Sequence, residues 1–142
     1  MPNNMVKSDL EDIKKKLVPV LEKYPEIAGA YLFGSALDYC RPDSDIDIGL
    51  IIGDDEKHSD QDCQLLIEKI LQNLSPINKH QFDLVILKSS EAIFSFRVIR
   101  NGTLIYNRDD TVVTDFIEKI SQKYRKVYPR YNKALEMIVS EG

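Results

Sequence analysis

The chain has few of the residues that form covalent cross-links or metal sites, with two cysteines and two histidines among 142 residues. Cys40 and Cys63 lack the spacing of metal ligands, and two cysteines do not make a disulfide framework in a chain of this size. We therefore expect a reduced, cytoplasmic setting. No apolar run approaches the length of a membrane span, and the first residues lack the apolar segment of a signal peptide.

Basic residues are fewer than acidic ones, which gives a formal net charge of −4 and argues against free nucleic acid as the main partner. The charge is uneven along the chain. Residues 111–142 contain six Lys or Arg against four Asp or Glu, whereas residues 1–110 contain thirteen against nineteen. Hydrophobic residues make up 43% of the chain, which is enough to bury the core of one domain.

The apolar periodicity predicts an alternation of helices and strands. Helical spacing predicts three helices before residue 100, over about 9–23, 63–74 and 89–99. Shorter apolar runs predict three strands, over about 28–33, 45–52 and 81–87. The first helix has a capping-box pattern from Ser8 to Glu11, and Ser89 or Ser90 can cap the third. Residues 104–106 fit a short strand or an extended tail, and a helical pattern from residue 111 should kink or break at Pro129.

The most informative feature is Gly34-Ser35 at the end of a predicted strand, separated by nine residues from Asp45-Ile46-Asp47-Ile48. Glycine in such a turn allows a phosphate to approach the backbone closely, and a helical turn beginning there would favour the anion. Because side chains alternate along a strand, Asp45 and Asp47 share one face and the two isoleucines face the core.

Paired carboxylates beside a phosphate-binding turn suit an enzyme that uses Mg²⁺ and a nucleotide. Mg²⁺ usually binds through one or two carboxylates together with substrate phosphates. Asp83, in the strand-like run 81–87, is a third candidate carboxylate. It is suited either to bind a second metal ion or to accept the proton of an attacking hydroxyl group.

The segments Leu32–Ser35 and Asp45–Ile48 resemble the signature of the polymerase-beta-like nucleotidyltransferase superfamily. Within it, the short chain, Phe82-Asp83-Leu84-Val85 and the run from Phe96 to Tyr106 resemble the minimal nucleotidyltransferase (MNT) domains. The resemblance covers nearly the whole chain after residue 26. It implies one α/β (α+β) domain over residues 1–142, with a mixed sheet flanked by helices and a C-terminal helical segment at about 111–140.

This resemblance also implies the roles of individual residues. Asp45, Asp47 and Asp83 would be the catalytic metal ligands for two Mg²⁺ ions, and Gly34 and Ser35 would contact the triphosphate of ATP. Many members carry Arg directly after Gly-Ser, where this chain has Ala36-Leu37, and Arg41 is the candidate replacement. Many minimal members also have ten residues, rather than nine, before the first Asp.

MNT proteins of this type often act as antitoxins to HEPN-domain ribonuclease toxins, and some resemble protein adenylyltransferases that modify a tyrosine of the toxin. The resemblance therefore implies a HEPN-domain partner that receives AMP from ATP on a tyrosine hydroxyl. The tyrosine-rich, basic stretch 123–131 fits either a helix that packs its tyrosines on the core or a docking surface for an acidic partner.

Other functions remain open at this point. The chain could inhibit its partner by binding alone, or transfer a nucleotide to a small molecule such as an antibiotic. Glycosyltransferases also use Asp-x-Asp sites, although they are usually much larger. An EF-hand is excluded, because its loop needs Gly at the sixth position and Ile48 stands there. The acidic run Asp54–Glu56 is predicted to be a solvated loop, and His58 and His80 are predicted to lie on the surface.

Overall fold

The computed structural model describes residues 2–34, 45–77 and 80–141, in the order α1-β1-β2-α2-β3-α3-β4-α4. The helices are α1 (Pro2–Leu21), α2 (Asp60–Gln72), α3 (Ala92–Asn101) and α4 (Asp110–Glu141). The strands are β1 (Ile27–Phe33), β2 (Ile46–Ile52), β3 (Phe82–Ile86) and β4 (Thr103–Asn107). A 3-10 turn, Asp55–Lys57, follows β2. The predicted connection over residues 35–44, with Cys40, lies outside the described residues.

The four strands form one sheet in the order β3-β2-β1-β4. β2 and β3 are parallel, whereas β1 is antiparallel to both β2 and β4. The predicted mixed sheet is therefore confirmed. The run 104–106, left open between strand and tail, belongs to the edge strand β4.

Each face of the sheet is covered by two helices, because alternating residues of the strands belong to two different hydrophobic clusters. One cluster joins α1 and α2 to every second residue of β2: Ile46, Ile48, Leu50 and Ile52. The other joins Ile51 to Val98 of α3 and Phe116 of α4. By the same alternation, Asp47 and Gly49 lie on the face covered by α3 and α4. A Cβ atom on Gly49 would lie 3.2 Å from Cγ1 of Val98, so the glycine allows α3 to pack closely on β2.

Two predicted helix starts are wrong. α1 begins at Pro2, so Ser8 lies inside the helix, where upstream carbonyls already accept the following backbone N–H groups. α3 has Glu91 at its N-cap position, without a side-chain cap hydrogen bond. The Ser89 hydroxyl does not cap the helix. It donates instead to Oδ2 of Asp55 at 2.9 Å.

Of the kink or break predicted at Pro129, the break is wrong, because α4 runs without interruption from Asp110 to Glu141. Proline removes one backbone donor and crowds the carbonyl four residues earlier. Residues 125–130 are all exposed, so water can satisfy the carbonyl that loses its partner. α1 likewise contains Pro19. Within the described residues, no helix is both long and apolar enough to cross a membrane.

The acidic run after β2 is only partly solvated, contrary to the prediction. Asp55 is buried, and its Oδ2 atom accepts hydrogen bonds from the backbone N–H and the hydroxyl of Ser89, at 2.8 and 2.9 Å. Nζ of Lys119, on α4, lies 2.7 Å from Oε1 of Glu56 and 3.9 Å from Oδ1 of Asp55. The 3-10 turn is thereby tied both to the segment before α3 and to α4.

Candidate active site

The sheet register places two of the three predicted carboxylates side by side. Asp47 on β2 and Asp83 on β3 are paired residues of neighbouring parallel strands. Paired residues share a face of the sheet, and their strands are about 4.8 Å apart. Asp47 is partly buried and Asp83 is exposed. Both therefore lie on the face covered by α3 and α4.

The third predicted carboxylate, Asp45, is exposed and directly precedes β2. It lies two residues before Asp47 along the chain. It is therefore at the same end of β2 as the pair formed by Asp47 and Asp83. Ile46 and Ile48 are buried in the opposite cluster, as the alternation predicted. The start of β2 thus carries acidic groups toward one face and core residues toward the other.

Gly34 lies directly against Asp47 of this acidic edge, in a conformation that favours glycine. Its φ angle is +74°, and L-residues with a side chain rarely adopt this region. A Cβ atom on Gly34 would overlap Oδ2 of Asp47 and lie 3.1 Å from its Cγ. The space that a side chain would need is therefore taken by the Asp47 carboxylate. The predicted triphosphate contacts Ser35 and Arg41 lie outside the described residues.

The donor groups at this edge fit a Mg²⁺-nucleotide complex. Among the described residues, no group of three or more His, Cys, Asp or Glu side chains could hold a metal ion by itself. Mg²⁺ does not require such a group, because it usually completes its shell with water and substrate phosphates around one or two carboxylates. The neighbouring carboxylates of Asp47 and Asp83 carry hard oxygen atoms of the type that Mg²⁺ prefers.

A hollow of about 240 Å³ lies away from these carboxylates, at the opposite end of β2. Its lining includes Gly53, which is six residues after Asp47, a separation of about 20 Å along an extended strand. The hollow also contains Asp55, whose carboxylate already has hydrogen-bond partners in Ser89. The acidic edge and the hollow are therefore separate features.

An aromatic pair beside the acidic edge was not predicted from the sequence. Phe33, the last residue of β1, is the register partner of Asp47. Its ring meets that of Phe94 on α3 edge-on, with centroids 5.9 Å apart and an interplanar angle of 81°. The only sequence clue to the location of Phe33 is that it directly precedes Gly34. The contact with Phe94 depends on where α3 crosses the sheet.

The family model for polymerase beta nucleotidyltransferases matches residues 15–111. No curated protein sequence matches the chain. Solved structures share its fold. One is a Shewanella oneidensis complex of a tri-AMPylated HEPN toxin with an MNT antitoxin, with a TM-score of 0.65 and 19% identity over 92% of this chain and 98% of the matched chain.

Two further similar structures are toxin–antitoxin complexes. One contains AMP-PNP and has a TM-score of 0.66 and 19% identity, covering 89% of this chain and 98% of that chain. The other is a MntA complex in which two aspartates, two positions apart, are replaced by glutamate. It has a TM-score of 0.67 and 20% identity, covering 89% of this chain and 98% of that chain.

Proposed function

The chain belongs to the polymerase beta nucleotidyltransferase family, and from this membership we propose that it transfers AMP from ATP to a tyrosine hydroxyl of a HEPN-domain partner, acting as its antitoxin. The proposed catalytic residues are Asp45, Asp47 and Asp83, which would also hold Mg²⁺. Gly34 would form the triphosphate turn, together with Ser35 and Arg41. The whole of residues 1–142 would act as one minimal nucleotidyltransferase domain.

The observation that carries this proposal is the pairing of Asp47 with Asp83 beside Gly34. Similar solved structures support the choice of substrate and partner. One holds an ATP analogue, and one contains an AMPylated HEPN toxin. In another, two aspartates have the same i, i+2 spacing as Asp45 and Asp47 and are replaced by glutamate.

The proposed reaction is a displacement at the α-phosphorus of ATP. The acceptor oxygen forms a bond to this phosphorus, the bond to the bridging oxygen of the β-phosphate breaks, and pyrophosphate leaves. Asp83 takes the proton of the attacking hydroxyl, which is a weak nucleophile because the pKa of a free tyrosine is about 10. Bound Mg²⁺ would supply neutralisation of the phosphate charge. Asp45 and Asp47 would hold this Mg²⁺ and, through it, would orient the phosphates for in-line attack.

The acceptor would be presented by the partner, and α4 is the proposed docking element. Ile120 is the last buried residue on α4 among those whose side chains are described. Beyond it, the Tyr124 ring stacks on Phe96 with centroids 3.8 Å apart and on Tyr128 with centroids 4.9 Å apart. Tyr124 thus packs on α3, whereas Tyr128 is 37% exposed, which supports the proposal of a docking surface.

The positive charge of this part of α4 indicates what kind of surface it would bind. Residues 119–134 contain six Lys or Arg and no Asp or Glu, although the whole chain has a net charge of −4. Exposed Val127 adds apolar surface to the exposed ring of Tyr128. Aromatic and arginine side chains are enriched at interface centres. We therefore propose an acidic face of the HEPN partner as the surface that α4 binds.

The proposal is tested by incubating the purified chain with ATP labelled on its α-phosphate, Mg²⁺ and a purified candidate HEPN-domain protein. Label should become covalently attached to the partner, and the Asp45→Asn/Asp47→Asn variant should transfer none. Asp54→Asn is the matched control, because this exposed residue follows β2 at the opposite end and asparagine tolerates its left-handed φ of 52°.

The remaining functions give different results in this experiment. Loss of ribonuclease activity without transfer of label would indicate inhibition by binding alone. Label that is released onto an added small-molecule acceptor, but never onto the HEPN protein, would contradict the proposed partner.

A further inference from the structure

Phe94 is exposed beside the acidic edge, although its helix packs on the sheet. About 40% of its surface is open, while Ala92, Ser95 and Val98 of the same helix are buried. The edge-on contact with Phe33 fixes the position of its ring. This geometry is favourable for aromatic pairs. The contact therefore holds an exposed aromatic ring in a defined orientation.

Phe33 connects this ring to the proposed catalytic residues. It immediately precedes Gly34 and is the register partner of Asp47. Side chains of directly paired residues on antiparallel strands lie next to each other on the same face. The Phe33 ring is therefore adjacent to the Asp47 carboxylate, and Phe94 extends this aromatic surface outward from the sheet.

The orientation of α3 places Phe94 on the side of the helix away from α4. Phe96 stacks on Tyr124 of α4. Residues two positions apart on a helix are separated by about 200°, so the Phe94 ring lies on the opposite side from that stack. Val98 packs against Gly49 of β2. α3 thus packs on α4 through Phe96 and on β2 through Val98, and the Phe94 ring contacts Phe33 instead.

We propose that Phe94, held by Phe33, is the surface on which the base of the bound nucleotide stacks. This inference rests on the proposed function, because it assigns the base-binding part of the same nucleotide site. The base has an apolar aromatic face that an exposed phenyl ring can cover. The triphosphate would extend from this ring toward Gly34 and the carboxylates of Asp47 and Asp83.

Base stacking predicts that Phe94 distinguishes nucleotides from inorganic triphosphate but does not distinguish one base from another. Stacking uses the face of the base and tolerates any base, because every base has a π-face. Phe94 should therefore contribute to the affinity for ATP and GTP alike, and contribute nothing to the affinity for inorganic triphosphate. This difference separates base stacking from a general role of Phe94 in folding or in shaping the phosphate site.

Calorimetry with ATP and with inorganic triphosphate, each with Mg²⁺, tests the assignment without any acceptor. Phe94→Ala should weaken ATP binding roughly 5- to 150-fold and leave triphosphate binding within about twofold of wild type. Phe94→Tyr should keep wild-type affinity for both ligands. Leu65→Ala is the control, because Leu65 is 50% exposed on α2, on the other face of the sheet.

Two results would overturn the assignment while leaving the proposed function intact. In one, Phe94→Ala binds ATP as tightly as wild type, so that the ring does not contact the base. In the other, ATP and triphosphate weaken by the same factor, so that the ring only supports the phosphate site. Failure of the wild-type chain to bind ATP at all would overturn both proposals.

Discussion

Gly34 and Asp47 are in such close contact that a Cβ atom on the glycine would overlap the carboxylate of the aspartate. We expect Gly34→Ala to abolish AMP transfer, because the methyl group would push Asp47 out of place. The alanine would also have to adopt the positive φ of Gly34, which destabilises the folded variant by about 1–2 kcal/mol. Single-turnover transfer and urea unfolding measure the two effects.

Gly53→Ala is the matched control for this substitution. A Cβ atom on Gly53 would lie 3.8 Å from Cγ1 of Val112, an ordinary contact distance. This variant should keep both activity and stability. Wild-type transfer by Gly34→Ala would show that the close contact between Gly34 and Asp47 is not needed for catalysis.

Asp83 is the proposed proton acceptor, and its exposed position predicts a loss of rate without a loss of fold. Asp83→Asn should slow transfer by about 10²- to 10⁴-fold, the range attributed to general-base groups, while the circular dichroism spectrum and melting temperature remain close to wild type. Asp115→Asn removes an exposed carboxylate on α4 and should leave the rate unchanged. A wild-type rate for Asp83→Asn would remove this residue from the mechanism.

The ion pairs at Glu56 predict a dependence of stability on pH. Hydrogen bonds and charge from Lys119, with further contributions from Ser89 and Lys123, lower the pKa of Glu56 from 4.5 to about 2. Because the folded state prefers the ionised form, this stabilisation is complete above about pH 4.5 and is lost as the pH falls toward 2. Glu56→Gln should therefore flatten the fall in unfolding free energy over this range.

Because Glu56 is exposed, its contribution should be small and should decrease at high salt. Chemical denaturation at several pH values, with and without added salt, measures it. Glu68→Gln replaces an exposed glutamate on α2 and should retain the wild-type pH profile. If both variants retain it, the ion pairs of Glu56 do not stabilise the fold.

Docking through α4 predicts that charge reversal weakens partner binding and leaves nucleotide binding unchanged. Arg125→Glu/Lys126→Glu should reduce affinity for the HEPN protein at least about tenfold, because like charges would meet at the interface. Lys15→Glu/Lys16→Glu makes the same change of charge on α1 and should bind normally. Equal losses in the two variants, measured by surface plasmon resonance, would contradict docking through α4.

The strands were predictable from sequence because their apolar patterns are strong. The register that pairs Asp47 with Asp83 was not, because it depends on how β2 and β3 align in the folded sheet. Some helix ends were predicted wrongly because they depend on contacts or exposure in the folded protein rather than on local sequence. Ser89 was predicted as a helix cap, but its hydroxyl donates to Asp55, which also forms an ion pair with Lys119 of α4. Pro129 does not break α4, since that stretch is exposed to water. The contact of Phe94 with Phe33 depends on helix placement that no local pattern specifies.

The most direct test of the central claim is the intact mass of the HEPN protein purified after co-expression with this chain, measured together with its ribonuclease activity. Co-expression with wild type should add the mass of one or more AMP groups and abolish ribonuclease activity, even after this chain is removed. Co-expression with Asp45→Asn/Asp47→Asn should add no mass and leave the ribonuclease active. An inactive partner of unchanged mass with both forms would contradict the proposed catalysis.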